Sequence, residues 1–184
     1  ERVILYVGRL EDGKGLDHLI EAVASFKRVG VTLLLAGAGS KETGLRVLCT
    51  DRGVRAVFAG HVPNEQLHVY YALADIFVLP SVTTAEFKEP WGMVINEAMN
   101  QGCAVVTTDA VGAAAGGLVE NGKNGLIVRE KDSQALAGAF ERLFNDERLR
   151  REMGTAGRAK IDGWTPRQAA QGFAKALEYV QSDH

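Results

Sequence analysis

The sequence has little cysteine, proline or histidine, and this scarcity excludes several classes of protein. Its 184 residues include only two cysteines, four prolines and four histidines. Cys49 and Cys103 lie in apolar surroundings, without the C-x-x-C or histidine spacing of a metal site. We therefore predict two buried free thiols, and we expect neither a disulfide nor a bound metal.

An excess of charge of one sign and long apolar runs are also missing. With 21 basic and 23 acidic side chains the net charge is −2, so we expect no overall attraction to nucleic acid or to an anionic membrane. No apolar run is long enough for a signal peptide or a membrane span, which favours a cytoplasmic location. The chain opens almost directly into a strand without an initiating methionine, which is typical of a piece of something longer.

What the sequence does have is a regular alternation of apolar and amphipathic segments. Apolar residues make up 46% of the chain, enough for one large domain with a substantial core. Apolar runs predict strands over residues 3–7, 32–36, 57–59, 76–79, 104–107 and 126–128. Amphipathic spacing predicts helices over residues 16–29, 41–52, 64–73, 90–100, 133–145, 147–160 and 166–181.

This alternation predicts an α/β fold: a doubly wound, parallel, six-stranded, Rossmann-like sheet. Continuous apolar runs are typical of parallel strands that are covered on both faces. In the usual strand order, 3-2-1-4-5-6, the first and fourth strands are neighbours at the switch point where ligands bind. We therefore expect the loops after these two strands, residues 8–15 and 80–89, to form one site.

The second of these loops leads into a segment with two carboxylates, Glu89 and Glu97, eight residues apart. The spacing predicts a helix over 90–100, with Pro90 in its first turn and Glu89 beside the free N–H groups of residues 92–94. Two acceptors and a positive helix end suit a ligand that carries hydroxyls and phosphate, such as a nucleotide-sugar. The two residues are also compatible with a helix-end charge and a solvated surface glutamate.

The loop after the first strand carries two cations, Arg9 and Lys14. Its sequence nearly matches the P-loop pattern GxxxxGK[ST], but Gly15 stands where a hydroxyl would hold Mg²⁺. The cations can instead neutralise a diphosphate, although each alone is compatible with a solvated surface charge. The glycines at 37–39 lack the GxGxxG spacing of a dinucleotide site.

Together these motifs resemble retaining glycosyltransferases of the two-domain GT-B architecture, most closely family 4, over residues 3–180. The resemblance implies that residues 1–184 are the C-terminal, donor-binding domain and that the N-terminal acceptor-binding domain is absent. It implies that Glu89 contacts the transferred sugar and that Glu97 binds the ribose. Arg9 and Lys14 would then neutralise the donor diphosphate. The other residues expected at the donor are Gly8, Gly60, His61, Val62, Trp91, Gly92, Met93 and Val94.

The implied reaction transfers a hexose-type sugar from a nucleoside diphosphate sugar to an acceptor hydroxyl, with retained configuration and without metal or cofactor. The acceptor is a glycan, a lipid or a small molecule, and any membrane contact would come through the N-terminal domain. One departure from the family is the loop after the fifth strand, where Ala113, Ala114 and Gly117 replace its Gly-Gly-x-x-Glu pattern. A sugar-nucleotide epimerase, a glycosyl phosphorylase and a nucleotide-binding module without chemistry of its own stay open.

Overall fold

A computed structural model describes residues 1–26 and 28–182, and its centre is one parallel sheet. The six strands lie in the order β3-β2-β1-β4-β5-β6. They are β1 (Arg2–Val7), β2 (Val31–Ala36), β3 (Ala56–Gly60), β4 (Ile76–Leu79), β5 (Ala104–Thr108) and β6 (Gly125–Val128). The predicted fold class and strand order are confirmed, and β1 and β4 are neighbours as expected.

Helices connect the strands and cover the sheet. They are α1 (Leu16–Ser25), α2 (Glu42–Asp51), α3 (Leu67–Leu73), α4 (Met93–Asn100), α5 (Gly112–Ala115), α6 (Ser133–Asn145), α7 (Glu147–Ile161) and α8 (Pro166–Ser182). A 3₁₀ turn, Asn64–Gln66, leads into α3. Helix α1 packs against α2 and α6, while α4 packs against α7.

The central strands form the core, which explains why their sequences are continuously apolar. Ile4, Leu5 and Tyr6 of β1 and Ile76 and Phe77 of β4 are fully buried. Burial of each such large side chain contributes about 1.5–3 kcal/mol. The two neighbours at the switch point are therefore held rigidly where the site-forming loops begin.

Cys49 and Cys103 are buried and free, as predicted. Burial raises the pKa of the Cys103 thiol to about 12 and that of Cys49 to about 11, so both thiols stay protonated near neutral pH.

Several predicted helix boundaries are wrong. Helix α1 ends at Ser25 rather than at 29 (residue 27 lies outside the described residues), and the chain turns at Gly30, whose φ is 80°. Helix α4 starts at Met93 rather than at Pro90, because Gly92 takes a left-handed conformation with φ 87°. The helix predicted over residues 64–73 instead begins with the 3₁₀ turn, and α3 starts at Leu67. Helix α5 was not predicted.

Helix α8 has the predicted apolar spacing, and its apolar side chains are exposed. Phe173 is 75% exposed, and Leu177 and Val180 are 63% and 61% exposed. Across residues 1–26 and 28–182, no helix combines the length and hydropathy needed to cross a bilayer.

Candidate functional site

The loops after β1 and β4 meet at the carboxyl edge of the sheet, as predicted from the switch-point argument. The Val82 N–H donates to the Gly13 carbonyl at 2.8 Å. Gly15, which caps α1 with φ 67°, lies so close that a Cβ on it would come within 1.9 Å of the Pro80 carbonyl oxygen. The serine or threonine of a P-loop therefore does not fit at this position.

The contact brings together Lys14 and Glu89, two residues predicted to be catalytic. Lys14 Nζ lies 2.6 Å from Glu89 Oε2, and the two side chains are only 12% and 11% exposed. Lys14 Nζ also lies 4.6 Å from the centre of the Phe87 ring. Shielding from water strengthens such an ion pair relative to one on an open surface.

The predicted position of Glu89 beside the N–H groups of residues 92–94 is wrong. Within the described part of the chain, its side chain accepts hydrogen bonds from Lys14 and from Ser81 Oγ, the latter at 3.1 Å. The left-handed conformation of Gly92 places the start of α4 at Met93, three residues later than predicted.

Helix α5 holds the backbone of the Glu89 segment. The Gly112 N–H donates to the Glu89 carbonyl at 3.1 Å, and the Ala113 N–H donates to the Trp91 carbonyl at 2.9 Å. The Trp91 indole donates to Asn96 Oδ1 at 2.9 Å, and its ring packs against that of Trp164 with centroids 5.1 Å apart and the ring planes tilted by 35°. The contacts of the Trp91 side chain are thus those of a residue that supports the segment.

A pocket of about 290 Å³ opens at the ends of β1, β2 and β3. It is lined by Val7, Gly8, Arg9, Ala36, Gly37, Ala38, His61, Val62, Asn64, Leu67, Val94 and Glu97. Six of these were predicted at the donor: Gly8, Arg9, His61, Val62, Val94 and Glu97. Lys14, Gly60, Glu89, Trp91, Gly92 and Met93, also predicted, lie outside this lining. Met93 is 63% exposed.

Two tyrosines donate hydrogen bonds to residues that line the pocket. Tyr71 donates its hydroxyl to Glu97 Oε2 at 2.7 Å, and its pKa is raised by burial and by this bond to the carboxylate. Tyr6 donates to the Arg9 carbonyl at 2.7 Å, and its pKa is raised by burial and by the charge of Glu89. The Arg9 side chain is exposed at the pocket edge and has no ion-pair partner among the described residues.

A larger cavity, of about 390 Å³, borders the same two loops. Its lining includes four carboxylates, on Glu11, Asp12, Asp17 and Glu86. The four carboxylates outnumber Lys41, the cation of the same lining, so this cavity suits an anionic group less well than the pocket that Arg9 borders. Among residues 1–26 and 28–182, no group of three or more histidine, cysteine or acidic side chains is arranged to hold a metal ion.

Ser81, Tyr71, Tyr6 and Phe87 are the site residues that the sequence reasoning missed. Ser81 gave one usable signal, because it is a small polar residue two positions after the apolar strand β4. The two tyrosines lie within predicted elements and look like ordinary core residues in the sequence. Their role depends on partners that are remote along the chain, as in the bond between Tyr71 and Glu97.

Comparison with known proteins agrees with this geometry. Residues 1–160 match the family model for glycosyl transferases group 1. An uncharacterized glycosyltransferase from Methanocaldococcus jannaschii is 38% identical over 152 residues, which cover 79% of this chain and 36% of that protein. The chain spans less than half the length of the curated relatives it matches, from 36% to 47%.

Solved structures show the same fold. The Anabaena protein HepE, solved in complex with UDP, superposes with a TM-score of 0.83 at 28% identity, covering 96% of this chain and 48% of that one. The C-terminal domain of a glycosyl transferase group 1 protein from Francisella tularensis superposes at 0.78 with 26% identity, covering 88% of this chain and 85% of that one. The predicted resemblance is confirmed, and this chain belongs to the glycosyl transferases group 1 family.

Proposed function

We propose that this chain is the donor-binding domain of a retaining, metal-independent glycosyltransferase that uses a nucleoside diphosphate sugar. The observation that carries the proposal is the ion pair of Lys14 with Glu89, which joins the loop that carries Arg9 to the segment that carries Glu97. It joins a cation suited to phosphate and a carboxylate suited to sugar hydroxyls. HepE, a structural relative, is solved with UDP and with UDP-glucose.

In this proposal the nucleoside occupies the 290 Å³ pocket, and Glu97 accepts hydrogen bonds from the ribose hydroxyls. The diphosphate then lies toward Arg9 and Lys14, and the sugar lies toward Glu89. Backbone groups near His61 and Val62 are suited to contact the edge of the base. Each group thus meets the part of the donor that matches its charge.

The reaction breaks the bond between the anomeric carbon and the β-phosphate oxygen, so negative charge develops on that phosphate. Arg9 and Lys14 offset this charge as fixed cations in a partly shielded site. The acceptor oxygen forms its bond to the anomeric carbon from the same face, and its proton passes to the departing phosphate. Glu89 orients the sugar and stabilises the positive charge that develops on it, without forming a covalent bond.

We further propose that a second, N-terminal domain completes the enzyme and supplies the acceptor groove. Two facts support this: the matched segment covers only 36% to 47% of the curated relatives, and a C-terminal domain from this family aligns over most of its length. Closure of two domains would align acceptor with donor and exclude water. The hexose-type sugar and the cytoplasmic location stay predictions.

Calorimetric titration of the 184-residue chain with UDP, GDP and ADP, with and without EDTA, tests the donor site. We expect weak binding of at least one nucleotide, unchanged by EDTA, because the cations are provided by Arg9 and Lys14. Loss of binding in EDTA would refute the metal-independent site. Absence of binding for all three nucleotides would refute the donor site itself.

Transfer of sugar is tested on two proteins: this chain alone and the chain joined to its N-terminal domain. We expect transfer from a nucleoside diphosphate sugar only by the joined form, measured as released nucleoside diphosphate that depends on acceptor. Robust transfer by the 184-residue chain alone would contradict the two-domain proposal.

A further inference from the structure

One oxygen of the Glu89 carboxylate receives two donors that come from different loops. Lys14 Nζ lies 2.6 Å from Oε2, and Ser81 Oγ lies 3.1 Å from the same atom. Within the described residues the other oxygen, Oε1, has no hydrogen-bond partner. Oε2 is therefore occupied by donors from the protein, and Oε1 is available to accept a hydrogen bond from a ligand hydroxyl.

Ser81 is held more firmly than the lysine. It lies two residues after the end of β4, its side chain is fully buried, and its carbonyl accepts a hydrogen bond from the Thr108 hydroxyl of β5. Tyr6, whose pKa is raised by burial and by the charge of Glu89, donates its hydroxyl hydrogen to the Arg9 carbonyl. Ser81 is thus the neutral side-chain donor that Glu89 has among the described residues.

The two donors respond differently to a bound diphosphate. Lys14 has a flexible stem, and a phosphate beside it competes with Glu89 for its charge. Ser81 has a short side chain fixed by its backbone, so its hydroxyl cannot follow the phosphate. Its bond to Glu89 remains when the lysine turns toward the ligand.

We propose that Ser81 is a positioning residue that holds the Glu89 carboxylate in place for the transferred sugar while Lys14 binds the phosphate. This inference rests on the proposed donor site and adds to it the group that fixes its sugar-facing carboxylate. A hydrogen bond to a carboxylate is short and directional, which lets a single hydroxyl set the orientation of the acceptor atoms.

The test compares a nucleoside diphosphate with its sugar, using the base that titration selects: UDP with UDP-glucose, GDP with GDP-mannose, or ADP with ADP-glucose. In the 184-residue chain, Ser81→Ala should weaken binding of the sugar nucleotide about tenfold, because a hydrogen bond to a charged group is lost. Binding of the nucleoside diphosphate should change less than about twofold, because Ser81 does not face the phosphate or the ribose.

Thr107→Val is the matched control. Thr107 is fully buried in β5 and donates its hydroxyl to the Leu79 carbonyl at 3.0 Å, so the variant also removes one buried hydroxyl beside β4. It should lower the melting temperature as Ser81→Ala does and leave both affinities unchanged.

A double-mutant comparison shows whether Ser81 acts through Glu89. In a Glu89→Ala background, which removes the acceptor of the Ser81 hydrogen bond, Ser81→Ala should produce no further selective loss of the sugar nucleotide. A selective loss that persists there would overturn the proposal. Equal loss of both ligands, or no loss of either, in the single variant would overturn it as well. If the unmodified chain binds neither member of any pair, the donor site itself is refuted, and the positioning role falls with it.

Discussion

The two glutamates of the site lie on the same segment of chain and are held in different ways. The Glu89 side, made of Lys14, Ser81, Phe87 and Glu89, joins two loops remote in sequence, and Glu89 is only 11% exposed. On the Glu97 side, made of Glu97 and Tyr71, Glu97 is exposed on α4 and accepts one hydrogen bond within the described part of the chain, from the Tyr71 hydroxyl. The first arrangement fixes a charge in place, whereas the second leaves a charge accessible at the rim of a pocket.

This difference matches the two tasks in the proposed reaction. Stabilising charge in a transition state requires groups that are already oriented and shielded from water. Binding a ribose requires an accessible hydrogen-bond acceptor on a helix. A small change in the position of that acceptor lowers the binding affinity only slightly. We therefore expect changes on the Glu89 side to affect turnover and changes on the Glu97 side to affect binding.

The largest expected effect is that of Glu89→Gln in the enzyme completed by its N-terminal domain. Turnover should fall by about 100-fold, since loss of one preorganised charge-stabilising group typically has this effect. Affinity for the nucleoside diphosphate should not fall, because Lys14 is released from its ion pair. Steady-state kinetics and calorimetry measure the two quantities. An unchanged turnover number would remove Glu89 from the catalytic residues. It would also contradict the expected difference between Glu89, which affects turnover, and Glu97, which affects binding.

The second effect concerns the cations. Lys14→Ala or Arg9→Ala should weaken nucleoside diphosphate binding about tenfold or more, through loss of a charge-assisted bond. Binding of the nucleoside alone should be nearly unchanged in calorimetry. Lys41→Ala is the matched control, because Lys41 is an exposed lysine paired with Asp12 and borders the acidic cavity instead. Equal losses for nucleotide and nucleoside would indicate general destabilisation.

A smaller and opposite pattern is expected on the Glu97 side. Glu97→Ala should weaken the nucleoside and the nucleoside diphosphate to the same extent, by about three- to tenfold, through the ribose. Tyr71→Phe keeps the ring and removes the hydroxyl that donates to Glu97, so its effect should have the same pattern and be smaller. A loss confined to the diphosphate would contradict the assignment of Glu97 to the ribose.

The smallest effect lies away from both sides, at Glu120. Hydrogen bonds from Lys123 and Lys160 lower the pKa of this exposed carboxyl from 4.5 to about 2. Because the pKa of Glu120 is lower in the folded state, its ionised carboxyl stabilises the fold. This stabilisation is complete above pH 4.5 and is lost as the pH falls toward 2. Glu120→Gln should therefore lower the melting temperature slightly at pH 7 and not at all near pH 2. A difference that persists in acid would show that the charge is not its cause.

The sheet was predictable because burial imposes one simple pattern on it. Strands β1, β4 and β5 are covered on both faces, so their sequences are continuously apolar and easily recognised. Helix α5, by contrast, has the sequence Gly-Ala-Ala-Ala, which shows no apolar period. Its start is fixed by tertiary hydrogen bonds to the Glu89 and Trp91 carbonyls, which no local pattern reveals.

The sequence predicted which residues form the site better than it predicted how those residues are arranged. The switch-point argument correctly brought the loops of Lys14 and Glu89 together, but their ion pair depends on side-chain positions that the sequence does not specify. Pro90 looked like the first residue of a helix, and the left-handed Gly92 instead delays that helix to Met93. Ser81 became visible as a partner of Glu89 only once β4 and the next loop were placed in space.

The most direct measurement is a crystal structure of this chain with the nucleoside diphosphate sugar that it binds best. We expect the base near His61 and Val62, the ribose on Glu97, the β-phosphate within hydrogen-bond distance of Arg9 and Lys14, and the sugar on Glu89. In that complex Ser81 should still donate to Glu89 while Lys14 contacts the phosphate. A nucleotide bound in the acidic 390 Å³ cavity, or a sugar turned away from Glu89, would contradict the account.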